Sequence, residues 1–394
     1  MDITFVTPHL TLYGGGGIFI MNYANNLCER GHKLTVVTQK INQNDYKFNP
    51  NVSIIEIGGP LPTNPFHWVL LRFTKKKFFK VLNKIKADFI ISINFPSNYF
   101  CSNIYSHKGK KHIFYCHEPY RYIHDKNFYS KLPIFQRIFC WFLRVFFKKY
   151  DLKSASEADA IICNSNYTKH RVKEIYHREG YLHYSITNIP EPDKLHDIDI
   201  FKELKIEHER PIVFVLGLTH HLKGAKDTIY IFNKIIKELP EAVLLIGGRL
   251  LKKNKIICKK LINKLKIPNK NVVFYGFIDN EKLNYFYANS TLTLYPSIDE
   301  PYGLIPLESM RMGTPVIAYK GGGPSETIKD GQTGFLIDNF DLNDFADKAI
   351  KLIKDKNLCD SFSENAKNYM ENFLTFKKAV DNLESILKTL LSEL

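Results

Sequence analysis

The chain has 394 residues, 44% hydrophobic and 24% charged, which describes a soluble globular protein with room for two domains. Its net charge of +15 implies attraction to something acidic: nucleotide phosphates, nucleic acid or an anionic membrane. Seven scattered cysteines, at positions 28, 101, 116, 140, 163, 258 and 359, form no CxxC pair, which excludes a disulfide framework and a zinc site and fits a reducing cytoplasm.

Asp2 follows Met1 and the first apolar run is a short strand, so no secretory leader is expected. That strand, Ile3 to Thr7, runs into a loop containing Gly14-Gly15-Gly16-Gly17 and then a helix from about Ile18 to Arg30, ended by Gly31. A second strand, Lys33 to Thr38, completes a βαβ start. The glycines suggest a dinucleotide fingerprint and fail it twice. The third glycine would fall on Phe19, and Thr38-Gln39-Lys40 stands where an acid belongs. Hydride transfer is therefore not expected. Gly15 and Gly16 still let backbone approach a ligand closely; a flexible turn is the alternative.

Further strands fit Val52 to Ile57, Phe89 to Ile93, His112 to Cys116 and Ala160 to Asn164. His117 stands just past the third of these, where an α/β sheet presents its ligands, and Ser165 is placed to cap a helix. Trp68 to Leu82, around Lys75-Lys76-Lys77, and Pro133 to Lys149 alternate bulky apolar and basic residues, and Lys108, Lys110 and Lys111 add charge. Each stretch reads either as a helix lying in a membrane interface or as a buried helix with snorkelling ends. The longest apolar run, Ile134 to Phe147, is interrupted by Gln136, Arg137 and Arg144 and does not reach membrane-spanning length. No zinc-finger spacing or aromatic RNA-binding pattern is present, so nucleic acid is not an expected partner.

Asn188-Ile189-Pro190-Glu191-Pro192 reads as a linker between domains 1–190 and 191–375. A second α/β series follows, with strands Ile212 to Leu216, Val243 to Ile246, Val272 to Tyr275, Thr291 to Tyr295 and Pro315 to Tyr319, and helices Ala225 to Leu239 and Glu281 to Ala288. Lys223, in the loop Gly217 to Gly224, can reach phosphate oxygens as a point charge; a solvated lysine is the alternative. Gly276-Phe277-Ile278 is either a ligand loop or a plain turn. Beyond Phe340 the chain turns helical, with amphipathic patterns from Asp341 to Lys354 and from Phe376 to Leu391.

The most telling stretch is Ser297 to Glu308. Glu300 follows an apolar strand, Tyr302-Gly303-Leu304 makes a turn into a helix, Glu308 lies about a turn inside it, and Gly313 ends it. The backbone N–H groups at Gly303 and Leu304 are free to hold a phosphate, and each carboxylate accepts two hydrogen bonds, as vicinal sugar hydroxyls require. An acidic helix start favoured by the dipole is the alternative.

The pattern of Glu300, seven residues, Glu308, then Met312-Gly313-Thr314-Pro315-Val316-Ile317-Ala318 and Gly322-Gly323-Pro324-Ser325-Glu326-Thr327, resembles glycosyltransferase family 4. The resemblance implies a GT-B fold, α/β, with two Rossmann-like doubly wound parallel-sheet domains facing across a cleft, the last helix (376–394) packing back on the first domain. It implies a retaining, metal-independent enzyme without cofactor. His117 and Glu300 would be the catalytic residues, Glu300 holding the donor sugar and His117 standing beside the reacting sugar or acceptor. Glu308 would hold the ribose, Lys223, Tyr302, Gly303 and Leu304 the diphosphate side, Phe277 and Ile278 the base, and Gly15 and Gly16 would bind the donor near its phosphates and the acceptor. The family's arginine after the first glycine of the 217–224 loop is replaced by Leu218; His220, His221 and Arg249 are candidate substitutes. Tyr115-Cys116-His117-Glu118-Pro119 resembles the mannosyltransferase-like branch, which points to GDP-mannose first and a UDP-hexose next, with a glycan or lipid-linked acceptor. A cytoplasmic place, peripheral on the inner face of an anionic membrane, fits the basic aromatic stretches. A sugar-nucleotide epimerase and a silent sugar-nucleotide binding protein are the alternative functions.

Overall fold

The computed structural model describes the chain except residues 12–13, 63, 103–108, 187–198, 208, 219–220, 249 and 394, and the side chains of Pro65, His221, Asn280 and Glu281. The expected linker at 188–192, Lys108, and the candidate phosphate partners His220 and Arg249 lie outside the described residues, as does the side chain of His221. The chain divides into two compact units, Met1–Thr187 with Phe376–Leu394, and Asn188–Thr375.

Unit 1 is a parallel sheet of seven strands: β1 (Asp2–Val6), β2 (Lys33–Thr38), β3 (Ser53–Glu56), β4 (Phe89–Ile93), β5 (Lys111–Cys116), β6 (Ala160–Cys163) and β7 (Tyr181–Leu182). Their spatial order is β3-β2-β1-β4-β5-β6-β7. Helices cover both faces of such a sheet, so its central strands are continuous apolar runs; β4, Phe-Ile-Ile-Ser-Ile, is buried at all five positions. Asp151, on the Ile134–Ser156 helix, is fully buried and accepts from Asn98 Nδ2 at 3.0 Å, His124 Nε2 at 2.7 Å and Tyr176 Oη at 2.9 Å. Three donors on one carboxylate offset its loss of water and pin that helix to three neighbouring segments.

The first helix is Gly15–Glu29, so Gly15 and Gly16 are its first turn and not part of a free loop before Ile18. The Gly14 carbonyl accepts from Ile18 N–H at 3.0 Å. Glycine is a poor helix former, but Ile18, Phe19, Ile20 and Tyr23 bury one face of this helix and carry the turn before them. Gly17 packs closely against a side chain: a Cβ there would meet the hydroxyl end of the Tyr46 ring, which would have to shift. The C-terminal helix, Phe376–Ser392, lies in unit 1, where Ala379, Leu383 and Leu387 are buried and Arg30 reaches Asp381 at 2.6 Å and Glu384 at 3.0 Å.

Unit 2 is a parallel sheet of six strands: β8 (Ile212–Leu216), β9 (Val243–Gly247), β10 (Val272–Gly276), β11 (Leu292–Tyr295), β12 (Val316–Tyr319) and β13 (Gly334–Ile337), in the order β10-β9-β8-β11-β12-β13. Sequence reading did not anticipate β13, a four-residue edge strand following the Asp330–Thr333 turn. In each sheet the order reverses once, between β1 and β4 and between β8 and β11. Connections leave these points in opposite directions and open a crevice at the carboxyl ends of the strands, where open α/β sheets take ligands.

Arg30, Asp381 and Glu384 are partly solvated, so apolar burial holds the last helix more firmly than its ion pairs do. Leu387→Ala is expected to cost about 2–5 kcal/mol of stability in urea unfolding followed by circular dichroism, whereas Lys388→Ala is expected to shift it by no more than about 0.5 kcal/mol.

Candidate active site

In unit 2 the crevice between β8 and β11 is lined by the two loops that leave those strands. Lys223 ends a short 3-10 turn, His221–Lys223, after β8, and Glu300 lies in the loop after β11. Their side chains form an ion pair, Nζ to Oε2 at 2.5 Å, each about four-fifths buried. Lys223 also donates to Tyr295 Oη at 3.3 Å, and the Ser297 hydroxyl donates to Glu300 at 3.2 Å. Burial opposes the lysine's charge, but the Glu300 carboxylate and Tyr295 outweigh it, so the ammonium is held above its ordinary pKa. The cluster places a full positive charge, stably protonated, beside a carboxylate at a ligand-taking edge.

The position of Glu300 is set by backbone, not by side chains. Gly323 N–H donates to the Glu300 carbonyl at 2.9 Å. Gly322, at φ +59°, is pressed against the same peptide so closely that a Cβ would overlap the Glu300 carbonyl. Both the left-handed conformation and the missing side chain are needed there. Tyr302 is buried, and Gly303, at φ +88°, begins the Leu304–Arg311 helix with no side chain capping it. That helix therefore begins, just after the loop that carries Glu300, without a side-chain cap on its first N–H groups.

Glu308 lies within this helix and is held apart from Glu300 by its own partner: the Tyr287 hydroxyl donates to its Oε2 at 3.0 Å. Packing around the carboxyl pushes its pKa up to about 8, with the Tyr287 hydroxyl opposing the rise. A carboxyl that keeps its proton near neutral pH both donates and accepts, which suits a pair of hydroxyls. Phe277 is exposed just after β10, where Gly276 takes φ +91°. Ile278 points into the core against Gly247, which leaves only its backbone for a ligand. Leu218, in the place of the family's arginine, is buried, and its carbonyl accepts from Asn254.

In unit 1, His117 follows β5. Its N–H donates to Asn94 Oδ1 at 2.8 Å, and its carbonyl accepts from the Thr168 hydroxyl at 3.1 Å. The ring lies edge-on to Phe19, with centroids 5.2 Å apart, and against Tyr115 at 4.9 Å. Burial and then the neighbouring His183 hold its pKa down to about 4, so the imidazole is neutral, and Nε2 is buried with no protein partner. Behind it, His183 Nε2–H donates to the Ala379 carbonyl at 2.9 Å and its Nδ1 accepts from the Tyr115 hydroxyl at 2.6 Å. This fixes the His183 tautomer and ties the C-terminal helix to the support of His117. Glu118 is engaged by Arg121 at 2.5 Å, and Ser165 caps the Asn166–Tyr176 helix through Thr168 N–H.

The structure thus gathers Lys223, Glu300, Tyr302, Gly303 and Leu304 around one helix start, and gathers His117 with the helix that begins at Gly15 and Gly16 through Phe19. Sequence reading missed the residues that hold these groups: Tyr295, Tyr287, Asn94 and His183. Only Asn94 carried a sequence signal, an asparagine directly after an apolar strand, and it adopts φ +54°. Among the described residues no group of three or more His, Cys, Asp or Glu side chains is arranged to hold a metal ion.

Two measurements follow from this geometry. Gly322→Ala is expected to cost roughly 1–3 kcal/mol in chemical denaturation, because the Glu300 peptide must move; an unchanged midpoint would contradict the contact. For Glu308, the folded state keeps its proton to about pH 8, whereas an unfolded glutamate releases it near 4.5. Between these values the folded state binds more protons, so the group's contribution is full below about 4.5 and is lost as pH rises towards 8. Melting temperature is expected to decline over that window, and Glu308→Gln, a neutral stand-in, is expected to flatten the decline.

Residues 197–369 match the family model described as glycosyl transferases group 1, and residues 13–180 match glycosyltransferase family 4. An alpha-1,3/1,6-mannosyltransferase from Dictyostelium discoideum is 30% identical over 310 residues, 72% of this chain and 71% of that one. An N-acetyl-alpha-D-glucosaminyl L-malate synthase from Bacillus anthracis is 32% identical over 187 residues, 47% of each chain. Among solved structures, a sucrose-phosphate synthase from Thermosynechococcus elongatus has a TM-score of 0.82 at 18% identity over the whole of both chains. Anabaena HepE, in complex with UDP and glucose, has a TM-score of 0.76 at 16% identity over 99% of this chain and 100% of that one. At such identities these structures speak to the fold alone, which is GT-B, two parallel sheets of seven and six strands with helices. With both halves of the sequence matched and a relative at 30% identity over most of its length, the chain belongs to glycosyltransferase family 4, the group 1 glycosyl transferases, and is a glycosyltransferase.

Proposed function

We propose that the protein moves a hexose from a nucleotide sugar to a glycan or lipid-linked acceptor with retention at the anomeric carbon and without a metal or cofactor. The observation that carries this reading is the Lys223–Glu300 pair at the crevice between β8 and β11, beside an uncapped helix start. Unit 2, about residues 191–375, is the donor unit and unit 1 the acceptor unit. The donor diphosphate sits against Lys223 and the N–H groups after Gly303, a preorganised positive site for the charge that builds on the leaving nucleotide. Glu300 holds hydroxyls of the sugar, Glu308 the ribose, and the backbone at Phe277 and Ile278 the base. The neutral imidazole of His117 hydrogen-bonds through Nε2, and the glycine turn at Gly15 and Gly16 lets backbone approach the reacting groups.

In the transfer the bond from the anomeric carbon to the diphosphate oxygen breaks as the bond to the acceptor oxygen forms on the same face. The acceptor's proton passes to the leaving phosphate oxygen. No protein nucleophile is required. GDP-mannose is the preferred donor, supported by the mannosyltransferase relative, with a UDP-hexose next. An anionic membrane surface as second partner, and a cytoplasmic place peripheral to it, belong to the same reading.

Lys223→Ala and Glu300→Gln are each expected to lower kcat by roughly a hundredfold or more while keeping the far-ultraviolet spectrum of the parent. Full transfer activity in both variants would refute the site. A thermal-shift panel of GDP-mannose and UDP-hexoses identifies the donor as the compound that raises the melting temperature of the parent and not of Lys223→Ala.

A further inference from the structure

Unit 1 carries a surface that nucleotide-sugar chemistry does not use. In the neighbouring helices Pro65–Val69 and Leu71–Leu82, the inner face is Trp68, Leu71, Phe78 and Leu82, all buried. The outer face presents Phe66, Val69 and Phe73, which are 68%, 69% and 62% exposed. The Ile134–Ser156 helix repeats the arrangement. Leu143 and Phe147 turn inward, whereas Ile134, Ile138, Trp141 and Val145 recur at helical spacing along one outward stripe. The segments share a seam: the Trp68 ring packs on Phe139, with centroids 6.2 Å apart, and on Phe147 at 5.5 Å. Single apolar side chains on a surface need no explanation; rows of large ones on adjoining helices mark an interaction face.

Charge selects the occupant. No aspartate or glutamate occurs from residue 64 to 87 or from 131 to 150. Lys76, Lys77 and Lys80 on one segment and Arg137, Lys148 and Lys149 on the other are exposed. An acid-free cationic rim repels a second copy of itself and complements a layer of phosphates above hydrocarbon. We propose that this face docks on an anionic phospholipid bilayer, with the helices lying in the interface, their outward aromatic side chains entering the acyl boundary and their lysines resting on lipid phosphates. Among the described residues no helix is long and apolar enough to cross a membrane, so the contact is one of surface attachment. The inference names the partner surface for the lipid-linked acceptor proposed above and rests on that reading for its purpose, not for its occurrence.

The chain's two tryptophans provide the probe. Trp68 is 2% exposed and Trp141 62%, so a shift of emission on binding reports Trp141. Phosphatidylglycerol-rich vesicles are expected to shift that emission to the blue and to float the protein, phosphatidylcholine vesicles much less, and added salt is expected to reverse the difference. Phe73→Ser/Ile138→Ser and Lys76→Glu/Lys80→Glu are each expected to weaken flotation roughly tenfold or more, with the circular dichroism spectrum and transfer to a water-soluble acceptor unchanged. Equal flotation on both lipids, or on neither, would overturn the proposal. So would a concentration-dependent dimer that the face variants dissolve, which would assign the surface to a second copy. Vesicle binding requires no donor, so its failure leaves the thermal-shift result standing, and the converse holds.

Discussion

Unit 2 is organised by a contact between two backbones. The Gly321–Gly323 turn presses on the Glu300 peptide with no side chain between them, and a hydrogen bond from Gly323 closes the contact. Two loops from neighbouring strands are thereby held in one register, which a side-chain contact, free to rotate, would not achieve. The consequence is electrostatic. A largely buried ion pair is a poor source of stability, because both charges give up water. Lys223 keeps its charge because the Glu300 carboxylate and Tyr295 outweigh the cost of burial and because the backbone keeps that carboxylate in reach. The pair's value lies in placing charge where a ligand arrives.

Much of this was legible in the sequence, for identifiable reasons. Strands in a sheet covered on both faces read as unbroken apolar runs, so β4, β8 and β9 stand out without any alternation. The acidic loop and its helix announce themselves through glycines and a proline at positions where backbone conformation is restrictive. What stayed hidden depends on distance along the chain. Tyr287 and Glu308 are separated by 21 residues, Lys223 and Tyr295 by 72, His183 and Ala379 by 196. No local pattern encodes such pairings. The start of the first helix was misplaced because glycine's low propensity argues for a loop, while burial of the face beginning at Ile18 carries the helix back to Gly15.

The same distinction applies to Leu218 and Ile278. Both occupy positions where the family resemblance suggested ligand contact, and both side chains are buried in unit 2. Apolar residues beside a polar crevice serve it by filling the volume behind it. Unit 1 shows the complementary case. Asp151, His183 and Tyr115 are buried polar groups, each provided with partners: Asp151 on the helix whose outer face is aromatic and basic, and Tyr115 with His183 against the C-terminal helix.

Unit 1 is built from two stretches of chain that unit 2 separates. On the ribosome, the first stretch emerges with His183 still lacking the Ala379 carbonyl and with the apolar floor under Leu383 and Leu387 uncovered. The whole intervening unit is translated before that floor is closed, an interval on the order of ten seconds or more at roughly 5–20 residues per second. Unit 2, continuous in the chain, is complete first. The nascent protein therefore passes through a stage in which its later half is finished and its earlier half still waits for a lid, a stage at which chaperone binding or misassociation would concentrate on unit 1.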